Sequence, residues 1–478
     1  MSINKKIKND NFIDLDYNRV KDEVRENIGY KYSNQKSTLF HKYLKLSIVS
    51  IIVVIVALFS IITINSFSTD TKFLKVSAAT KQDVSYQEIQ DEGYINFVNK
   101  LNIFSSKLAE EIYKENNHQE NYVISPVSIY MALAMCVESG SDEVREELLN
   151  ALGMTYDEVY KYTKILFSKL NDSADAHSIT GERTLFKEIM SNSIWVDNNI
   201  TLKEEGLLKL ANNYNCSSYS APFKENNKQA NNAIKNYIKK QTNGLIDKSY
   251  NISNETLFTL INTYYLKDVW NYDGDPLSFT NDKYMFNNIL ETYLLQGYYK
   301  PGKAYETETY TSFFTVTNHE IKIKFIVPND GYTIDDIYTK ETLVTVNSLK
   351  GYNSVDDINK IRYYTRCFFP EFEAEYDNDI SNVLKTGLNI NKIFNIGMNM
   401  TNITDEEIKC DAVYHSTKLK VDKKGIEGAS IVVIPGAGAA GPDEYTELYL
   451  DYIVDKNFIV IVTDGNDVPL FSGVIYNI

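Results

Sequence analysis

Residues 423–445 read KKGIEGASIVVIPGAGAAGPDEY, and this stretch combines two opposed local preferences. Ile431 to Ile434 are all β-branched, and β-branched residues favour a strand. Residues 436–441 contain only glycine and alanine, which leaves their backbone conformationally free. A strand-forming run beside a flexible tip suits a segment that is first presented as bait and later becomes a strand.

The tip also contains Gly436, Gly438 and Gly441 in the spacing G-x-G-x-x-G, a pattern found in dinucleotide-binding sites. Such a site needs a helix that begins at the last glycine and directs its N-terminus at the pyrophosphate. Here Pro435 interrupts the strand-like run before the glycines, and Pro442 follows them directly. Too little chain follows to build further strand–helix units, so the pattern does not indicate nucleotide binding.

The composition is that of an ordinary globular protein, with 478 residues, 43% hydrophobic and 24% charged. A formal net charge of -15 argues against a nucleic-acid-binding surface. The cysteines show no C-x-x-C spacing, so we predict isolated buried thiols and neither a metal site nor a cofactor, although a disulfide stays open. They are Cys136, Cys216, Cys367 and Cys410.

Residues 46–64 form an apolar run without a charge, long enough to cross a bilayer. Lysines precede this run, so the positive-inside rule makes residues 1–45 a cytoplasmic tail. We therefore predict a single-pass cell-membrane protein with a tether over residues 65–92 and an extracellular domain over residues 93–478. The alternative is a secreted protein released by cleavage near Ala78, although that position lies far beyond the apolar run.

Helical patterns dominate the first part of the folded domain and strand patterns the later part. Apolar residues recur every three or four positions from Tyr94 to Ile112, which predicts a long helix. Ser125 followed by Pro126 is an N-cap and first-turn signal for another helix. Residues 257–266 are almost continuously apolar, which predicts a strand buried on both faces. The fold class is therefore α+β.

Five segments resemble motifs of the serpin family and occur in the order expected for that family. They are residues 121–135 (NYVISPVSIYMALAM), 260–270 (LINTYYLKDVW), 368–372 (FFPEF) followed by 380–388 and 393–394, 415–425 (HSTKLKVDKKG) and 469–474 (PLFSGV). The resemblance covers about residues 93–478. It implies the serpin fold, which has a large central β-sheet, two further sheets, surrounding helices and an exposed reactive loop, here at about residues 423–446. We expect a bacterial, membrane-anchored member of the family.

The resemblance also implies a mechanism. In serpins a protease cleaves the reactive loop, and the loop then inserts into the main sheet as an extra strand. The protease, still joined to the loop as an acyl ester, is dragged to the far end of the sheet and distorted. The chain would then be a single-use serine protease inhibitor, a suicide substrate and not an enzyme, and it would act as a monomer.

The resemblance assigns roles to two groups of residues. The loop hinge comprises Lys423, Lys424, Gly425, Ile426, Glu427, Gly428, Ala429 and Ser430. The polar cluster beneath the sheet, called the shutter, and the breach tryptophan comprise Ser125, Ser128, Asn262, His415 and Trp270. Polar shutter groups in an apolar core must satisfy each other's hydrogen bonds.

The hinge departs from the usual inhibitory pattern. Lys423 is basic, Ile426 is bulky, and Gly428 and Ser430 replace alanines. Because side chains alternate along a strand, Ile426 and every second residue up to Ile434 would face inward on insertion. No charge would enter the core, so we expect insertion and inhibition, with the bulk of Ile426 as a feature that slows insertion.

The position of the cleaved bond has two interpretations. Counting from the hinge, as in the family, places it between Ala439 and Ala440, whereas counting back from the strand that contains Phe458 places it at Glu444–Thr446. Small residues at Ala439 and Ala440 suit elastase-like or subtilisin-like serine proteases, with cysteine proteases as further partners. The tip contains no arginine or lysine, which disfavours a trypsin-like target.

Two other functions compete with inhibition as interpretations of the sequence. One is a non-inhibitory serpin that serves as a binding or structural module at the cell surface. The other is a hydrolase that uses the local cluster Asp411, His415 and Ser416. The sequence lacks the G-x-S-x-G and H-E-x-x-H motifs, and close neighbours on a strand rarely form a catalytic triad.

Overall fold

The computed structural model describes ten segments of the chain. They are residues 72–116, 119–171, 175–177, 183–270, 277–297, 300–349, 355–356, 359–397, 399–427 and 446–478. All of them belong to one compact unit, Asp70–Ile478. Helices and several sheets together build this unit, so the predicted α+β class is confirmed.

The helices of the described segments lie mostly in the first half of the unit. They are α1 Tyr86–Ile89, α2 Glu92–Glu115, α3 Pro126–Ser139, α4 Asp142–Leu152, α5 Tyr156–Lys169, α6 Glu204–Tyr214, α7 Asn227–Gln241, α8 Ile334–Ile337 and α9 Lys340–Ser348. A π-helical turn, Val383–Gly387, and a 3-10 turn, Lys392–Phe394, follow. Helix α2 is the long helix predicted from the sequence, and the Asp91 side chain caps it by accepting the N–H of Tyr94.

The strands of the described segments lie mostly in the second half. They are β1 Leu74–Val76, β2 Tyr122–Ile124, β3 Asp175–His177, β4 Arg183–Leu185, β5 Lys187–Asp197, β6 Cys216–Ala221, β7 Phe258–Val269, β8 Tyr284–Phe286, β9 Leu290–Thr292, β10 Leu295–Gln296, β11 Lys300–Pro301, β12 Tyr305–Glu306, β13 Tyr310–Val316, β14 Lys322–Pro328, β15 Val355–Asp356, β16 Ile361–Phe369, β17 Phe372–Asp379, β18 Tyr414–Asp422, β19 Gly425–Glu427, β20 Thr446–Ile453, β21 Phe458–Thr463 and β22 Pro469–Ile475.

Three sheets organise the unit. The main sheet has the order β1-β6-β5-β7-β19-β18-β17, and a second sheet has the order β12-β13-β14-β21-β22-β2. The third sheet surrounds β16, which pairs with β10, β11, β15 and β20. Helix α3 is almost entirely buried and contacts both β7 and β22, as expected for a helix that is apolar on all sides. The hydrophobic core therefore lies between the main and second sheets.

The middle of the main sheet is only partly filled. Strand β7 pairs with β5 along one edge, and on its other edge its last residues pair with the short strand β19. Strand β18 pairs with β17 and, at its end, with the same β19. Among the described residues β7 and β18 are not paired with each other. We call the interval between residues 258–266 of β7 and 414–419 of β18 the slot.

The assignment of residues 65–92 to a tether needs correction for its C-terminal part. Strand β1 pairs antiparallel with β6 and becomes the edge of the main sheet. The N–H of Ala79 then donates to the carbonyl of Ala211 at 3.1 Å. Helix α1 follows, with a capping box formed by Ser85 and Glu88. The open edge of β6 gains a partner in this way, so the folded unit includes residues N-terminal to residue 93.

The predicted location at a cell membrane also needs correction. In the part of the chain that the structure describes, no helix is both long and apolar enough to cross a bilayer. The apolar run at residues 46–64, on which that prediction rested, lies outside the described residues. We therefore withdraw the membrane location.

The close approach of β2 and β22 requires glycine at position 473. A Cβ atom on Gly473 would lie 2.0 Å from the carbonyl oxygen of Tyr122, so Gly473→Ala must push the two strands apart. We expect a loss of about 1–3 kcal/mol in unfolding free energy, measured by urea denaturation. The control is Gly397→Ala, whose Cβ would meet its nearest neighbour at 3.7 Å and should change stability by no more than about 0.5 kcal/mol. Equal effects of the two substitutions would contradict this packing.

Candidate functional site

The described hinge residues lie at the end of the slot nearest Trp270, where β7 and β18 both pair with β19. Lys423 and Lys424 form the turn between β18 and β19. The Asp422 carboxylate accepts the N–H of Lys424 at 2.7 Å, and the Glu371 carboxylate accepts the N–H of Lys423 at 2.8 Å. The turn is therefore held by side chains at the end of β18 and the start of β17.

The two side chains after Gly425 point to opposite faces of the sheet. Ile426 is buried, with 1% of its surface exposed, and joins the hydrophobic core. Glu427 accepts a hydrogen bond from the hydroxyl of Tyr265 at 2.9 Å and lies 3.4 Å from the Lys267 ammonium. The bulk of Ile426 is thus accommodated at this position. The remaining hinge residues, Gly428, Ala429 and Ser430, lie outside the described residues, as do Ala439 and Ala440.

Gly425 is fixed by the close approach of β7. The register pairs Gly425 with Val269 and Ile426 with Asp268. A Cβ atom on Gly425 would lie 1.8 Å from the carbonyl oxygen of Asp268. Glycine is therefore the one residue type that fits here without moving the backbone of β7.

Trp270 fastens the turn to the adjoining strands. Its indole Nε1–H donates to the carbonyl of Asp422 at 2.6 Å, and its ring lies 5.6 Å from that of Phe369. The N–H of Leu277 donates to the carbonyl of Lys423 at 2.7 Å. Trp270 is 1% exposed, so a movement of the turn would uncover a large buried ring.

Three of the four predicted shutter residues lie together at the β18 wall of the slot. The N–H of Ser125 donates to Nε2 of His415 at 3.0 Å, and the hydroxyl of Ser125 donates to that of Ser128 at 3.0 Å. The hydroxyl of Thr417, a residue that was not among those predicted, lies 2.6 Å from the same Nε2. The alternation of side chains along a strand places residues 415 and 417 on one face, which is the signal that identifies Thr417.

Asn262 lies on the other wall of the slot and bonds elsewhere. Its amide donates to Oδ1 of Asn192 at 2.6 Å, and the amide of Asn192 donates to the carbonyl of Tyr214 at 2.7 Å. Oδ1 of Asn262 is buried and has no hydrogen-bond partner within the described residues. A cavity of about 30 Å³ is lined by Ser128, Asn262 and His415 together. The structure thus groups these residues around one gap without joining Asn262 to His415.

The environment of His415 gives it a structural and not a catalytic role. Burial lowers the pKa of His415 to about 3, so the ring is neutral at pH 7 and its Nε2 accepts hydrogen bonds. Ser416 points to the opposite face and donates to Asp377, and Asp411 pairs with Lys409 at 3.2 Å. Asp411, His415 and Ser416 therefore form no triad.

Comparisons with known proteins identify the family. A family model described as Serpin (serine protease inhibitor) matches residues 99–478, which is most of the chain. The chain belongs to the serpin family. Serpins are generally protease inhibitors and not enzymes. The predicted serpin fold is therefore confirmed, whereas the bacterial origin stays a prediction.

Several relatives cover nearly the whole folded unit. Rat alpha-1-antiproteinase is 23% identical over 83% of this chain and 92% of its own length. Human neuroserpin is 24% identical over 85% of this chain and 92% of its own length. The crystal structure of the thermophilic serpin tengpin in its native state superimposes with a TM-score of 0.61 at 20% identity, covering 84% of this chain and 98% of tengpin. The structural likeness shows the fold alone.

Substitution of Gly425 tests whether β19 packs against the end of β7 as described. In Gly425→Ala the new methyl group collides with the backbone of Asp268, so β19 should leave its position and expose Trp270. Acrylamide should then quench tryptophan fluorescence more strongly than in the wild type, since the other tryptophan, Trp195, is fully buried. Gly397→Ala serves as the control. Unchanged quenching in Gly425→Ala would contradict the described seat.

The lowered pKa of His415 predicts a pH dependence of stability. The folded-state pKa of about 3 lies below the unfolded value of about 6.5, so the folded protein binds fewer protons between these values and loses stability as the pH falls. His415 should reduce the unfolding free energy by about 2 kcal/mol between pH 6.5 and pH 5. This part of the pH dependence should be absent in His415→Gln, as measured by urea titration at both pH values. The same slope in both proteins would show that His415 is not buried as a neutral ring.

Proposed function

We propose that this serpin is an inhibitor that acts as a suicide substrate, with residues 423–446 as the protease bait. After cleavage the N-terminal part of this loop would continue β19 down the slot as a full strand. The observation that carries the proposal is the position of β19, which already pairs with both strands that flank the slot, β7 and β18. A strand needs only to be extended, not newly nucleated.

The register of β19 assigns each later loop residue a place in the slot. Ile426 pairs with Val421 of β18 and with Asp268 of β7, and both pairings are antiparallel. Six residues further along, Val432 would therefore lie between His415 and Asn262, the two polar side chains on opposite walls. Strand β7 has 12 residues, which matches a strand from Gly425 to Gly436.

The chemistry of the loop fits both faces of such a strand. Ile426, Gly428, Ser430, Val432 and Ile434 would face the core, and none of these residues is charged. Ile431 and Val433 would face α7. There Ile234 and Ile238 line a cavity of about 60 Å³ together with residues 259–264 of β7 and 416–418 of β18. Four consecutive β-branched residues are what a strand buried on both faces needs.

The bond between Ala439 and Ala440 is the better of the two candidate cleavage sites. Thr446 is already paired with Ile361 at the start of β20, so a bond at residues 444–446 lies too close to the sheet for a protease to bind extended chain on both sides. Six residues separate the Ala439–Ala440 bond from Thr446. Small alanine side chains fit the shallow pockets of elastase-like or subtilisin-like serine proteases.

The trapping reaction would proceed as follows. The protease serine hydroxyl attacks the carbonyl carbon of Ala439, the bond to the Ala440 nitrogen breaks, and that nitrogen leaves as an amine with the proton from the serine. The ester to Ala439 remains. Insertion of a 12-residue strand then carries the ester about 40 Å along the sheet. Insertion must be faster than ester hydrolysis for the protease to stay trapped.

The proposal is tested by mixing the full chain with pancreatic elastase, subtilisin and trypsin. We expect a complex with elastase or subtilisin that survives denaturing gel electrophoresis, and a released fragment whose mass corresponds to a start at Ala440. The cleaved protein should also melt at a higher temperature than the intact protein. Cleavage without a complex and without a rise in melting temperature would place the chain among the non-inhibitory serpins.

A charge on the inner face should convert the inhibitor into a substrate. Val432→Asp would place a carboxylate between His415 and Asn262 in the core, which opposes insertion. Ala429→Asp is the matched control, because residue 429 would face outward beside Lys418 in the same register. We expect elastase to cleave Val432→Asp without forming a complex and to be trapped by Ala429→Asp. Equal complex yields from the two variants would contradict the register.

A further inference from the structure

The hinge strand β19 pairs with the C-terminal end of β7, which extends beyond the neighbouring strand β5. The ladder between β5 and β7 ends at the pair Lys187–Lys267, so Asp268 and Val269 extend beyond β5. Their strand partners in the described residues are Gly425 and Ile426 of β19. A two-residue extension that is paired on one edge alone needs support from another part of the fold to hold its position.

A turn from the second sheet supplies this support. Residues 317–321 connect β13 to β14, and the N–H of Asn318 donates to the carbonyl of Val269 at 3.0 Å. The N–H of His319 donates to Oδ2 of Asp268 at 3.3 Å, and Nδ1 of His319 lies 2.5 Å from Oδ1 of the same carboxylate. The turn thus holds both residues of the extension.

The arrangement of donors fixes the orientation of the His319 ring. The side-chain amide of Asn318 lies 2.8 Å from Nε2 of His319. An amide nitrogen only donates, so Nε2 accepts and the ring proton sits on Nδ1, from which it is donated to Asp268. The ring also packs at 5.5 Å from that of Phe186, the residue just before β5. His319 is therefore held in one rotamer and one tautomer.

Asp268 and His319 are deeply buried, and the desolvation of such a polar pair offsets much of the stability that its hydrogen bonds contribute. The side chains of Asp268 and His319 are each 1% exposed. Burial raises the pKa of Asp268, and the hydrogen bonds from His319 and from the N–H of Val269 oppose that shift. Apolar side chains of similar volume often stabilise a core as well as such a pair does. What the pair adds is a defined direction for the end of β7.

We propose that Asp268 and His319 are positioning residues of the hinge, which hold the end of β7 so that Gly425 and Ile426 stay docked on it. This inference rests on the proposed loop insertion and names a pair that controls its first step. A firm seat lets the strand extend from β19 in one register. A loosened seat delays extension, so that hydrolysis of the acyl ester overtakes insertion and more inhibitor is consumed for each protease molecule trapped.

The test uses three variants of the full chain. Asp268→Asn and His319→Gln each remove one partner, and the double variant Asp268→Leu with His319→Phe removes the hydrogen bonds without leaving a buried unpaired charge. We expect the amides of residues 425–427 to exchange with deuterium at least tenfold faster in each variant. The number of inhibitor molecules consumed per trapped elastase molecule should rise severalfold.

Lys324→Met is the control for general destabilisation. Lys324 lies in β14 of the second sheet and is a buried cation. Its ammonium group donates to the carbonyls of Val346 and Asn347 and to the carboxylate of Asp467. It should alter the overall melting temperature while leaving exchange at residues 425–427 unchanged. Exchange and stoichiometry that stay at the wild-type level in the double variant would overturn the inference.

The outcomes for the two proposals are separable. If wild-type protein never traps a protease but the variants still release residues 425–427, the inhibitory function fails and the positioning role stands. If wild-type protein traps elastase and the Asp268 and His319 variants behave no differently from Lys324→Met, the positioning role fails and the inhibitory function stands.

Discussion

A strand without a neighbour leaves a row of backbone N–H and C=O groups unpaired, and this constraint governs the main sheet. Among the described residues, β7 and β18 face each other across the slot with only the three residues of β19 between them. Each backbone hydrogen bond that an entering strand forms contributes about 1 kcal/mol net, and burial of β-branched side chains adds to it. In the proposed mechanism this pairing would drive the loop into the slot, and the hinge would decide how insertion begins.

The two walls of the slot satisfy most of their polar groups independently. On the β18 side, Ser125 and Thr417 saturate Nε2 of His415, whereas on the β7 side Asn262 bonds to Asn192. Within the part of the chain that the structure describes, no hydrogen bond of these side chains joins one wall to the other. The exceptions lie on the β7 side, where Oδ1 of Asn262 and the hydroxyl of Thr263 are buried without a partner in the described residues. The backbone N–H groups of an entering strand are donors of the kind that Oδ1 of Asn262 lacks. At the end of β7 that pairs with β19, the carboxylate of Asp268 likewise finds its hydrogen-bond donors outside the slot, in the turn that contains His319.

Local patterns in the sequence account for much of the fold. The apolar run around Asn262 predicted a strand buried on both faces, and the three- and four-residue spacing predicted helix α2, because both signals lie within one element. Strand β1 has only three residues, too few to show an alternating pattern, so its place in the main sheet was not predictable. The partners of polar residues were not predictable either: Asn262 meets Asn192 and Asp268 meets His319 only through the register of strands distant in sequence.

The most direct measurement of the central claim is a crystal structure of the full chain after cleavage of its reactive loop. We predict that β19 becomes a full strand of the seven-stranded main sheet, in which residues from Gly425 onward lie between β7 and β18 and Val432 is paired to both Asn262 and His415. The account would be contradicted by a cleaved protein in which residues 428–436 remain outside the sheet, or in which β7 and β18 pair directly with each other below β19.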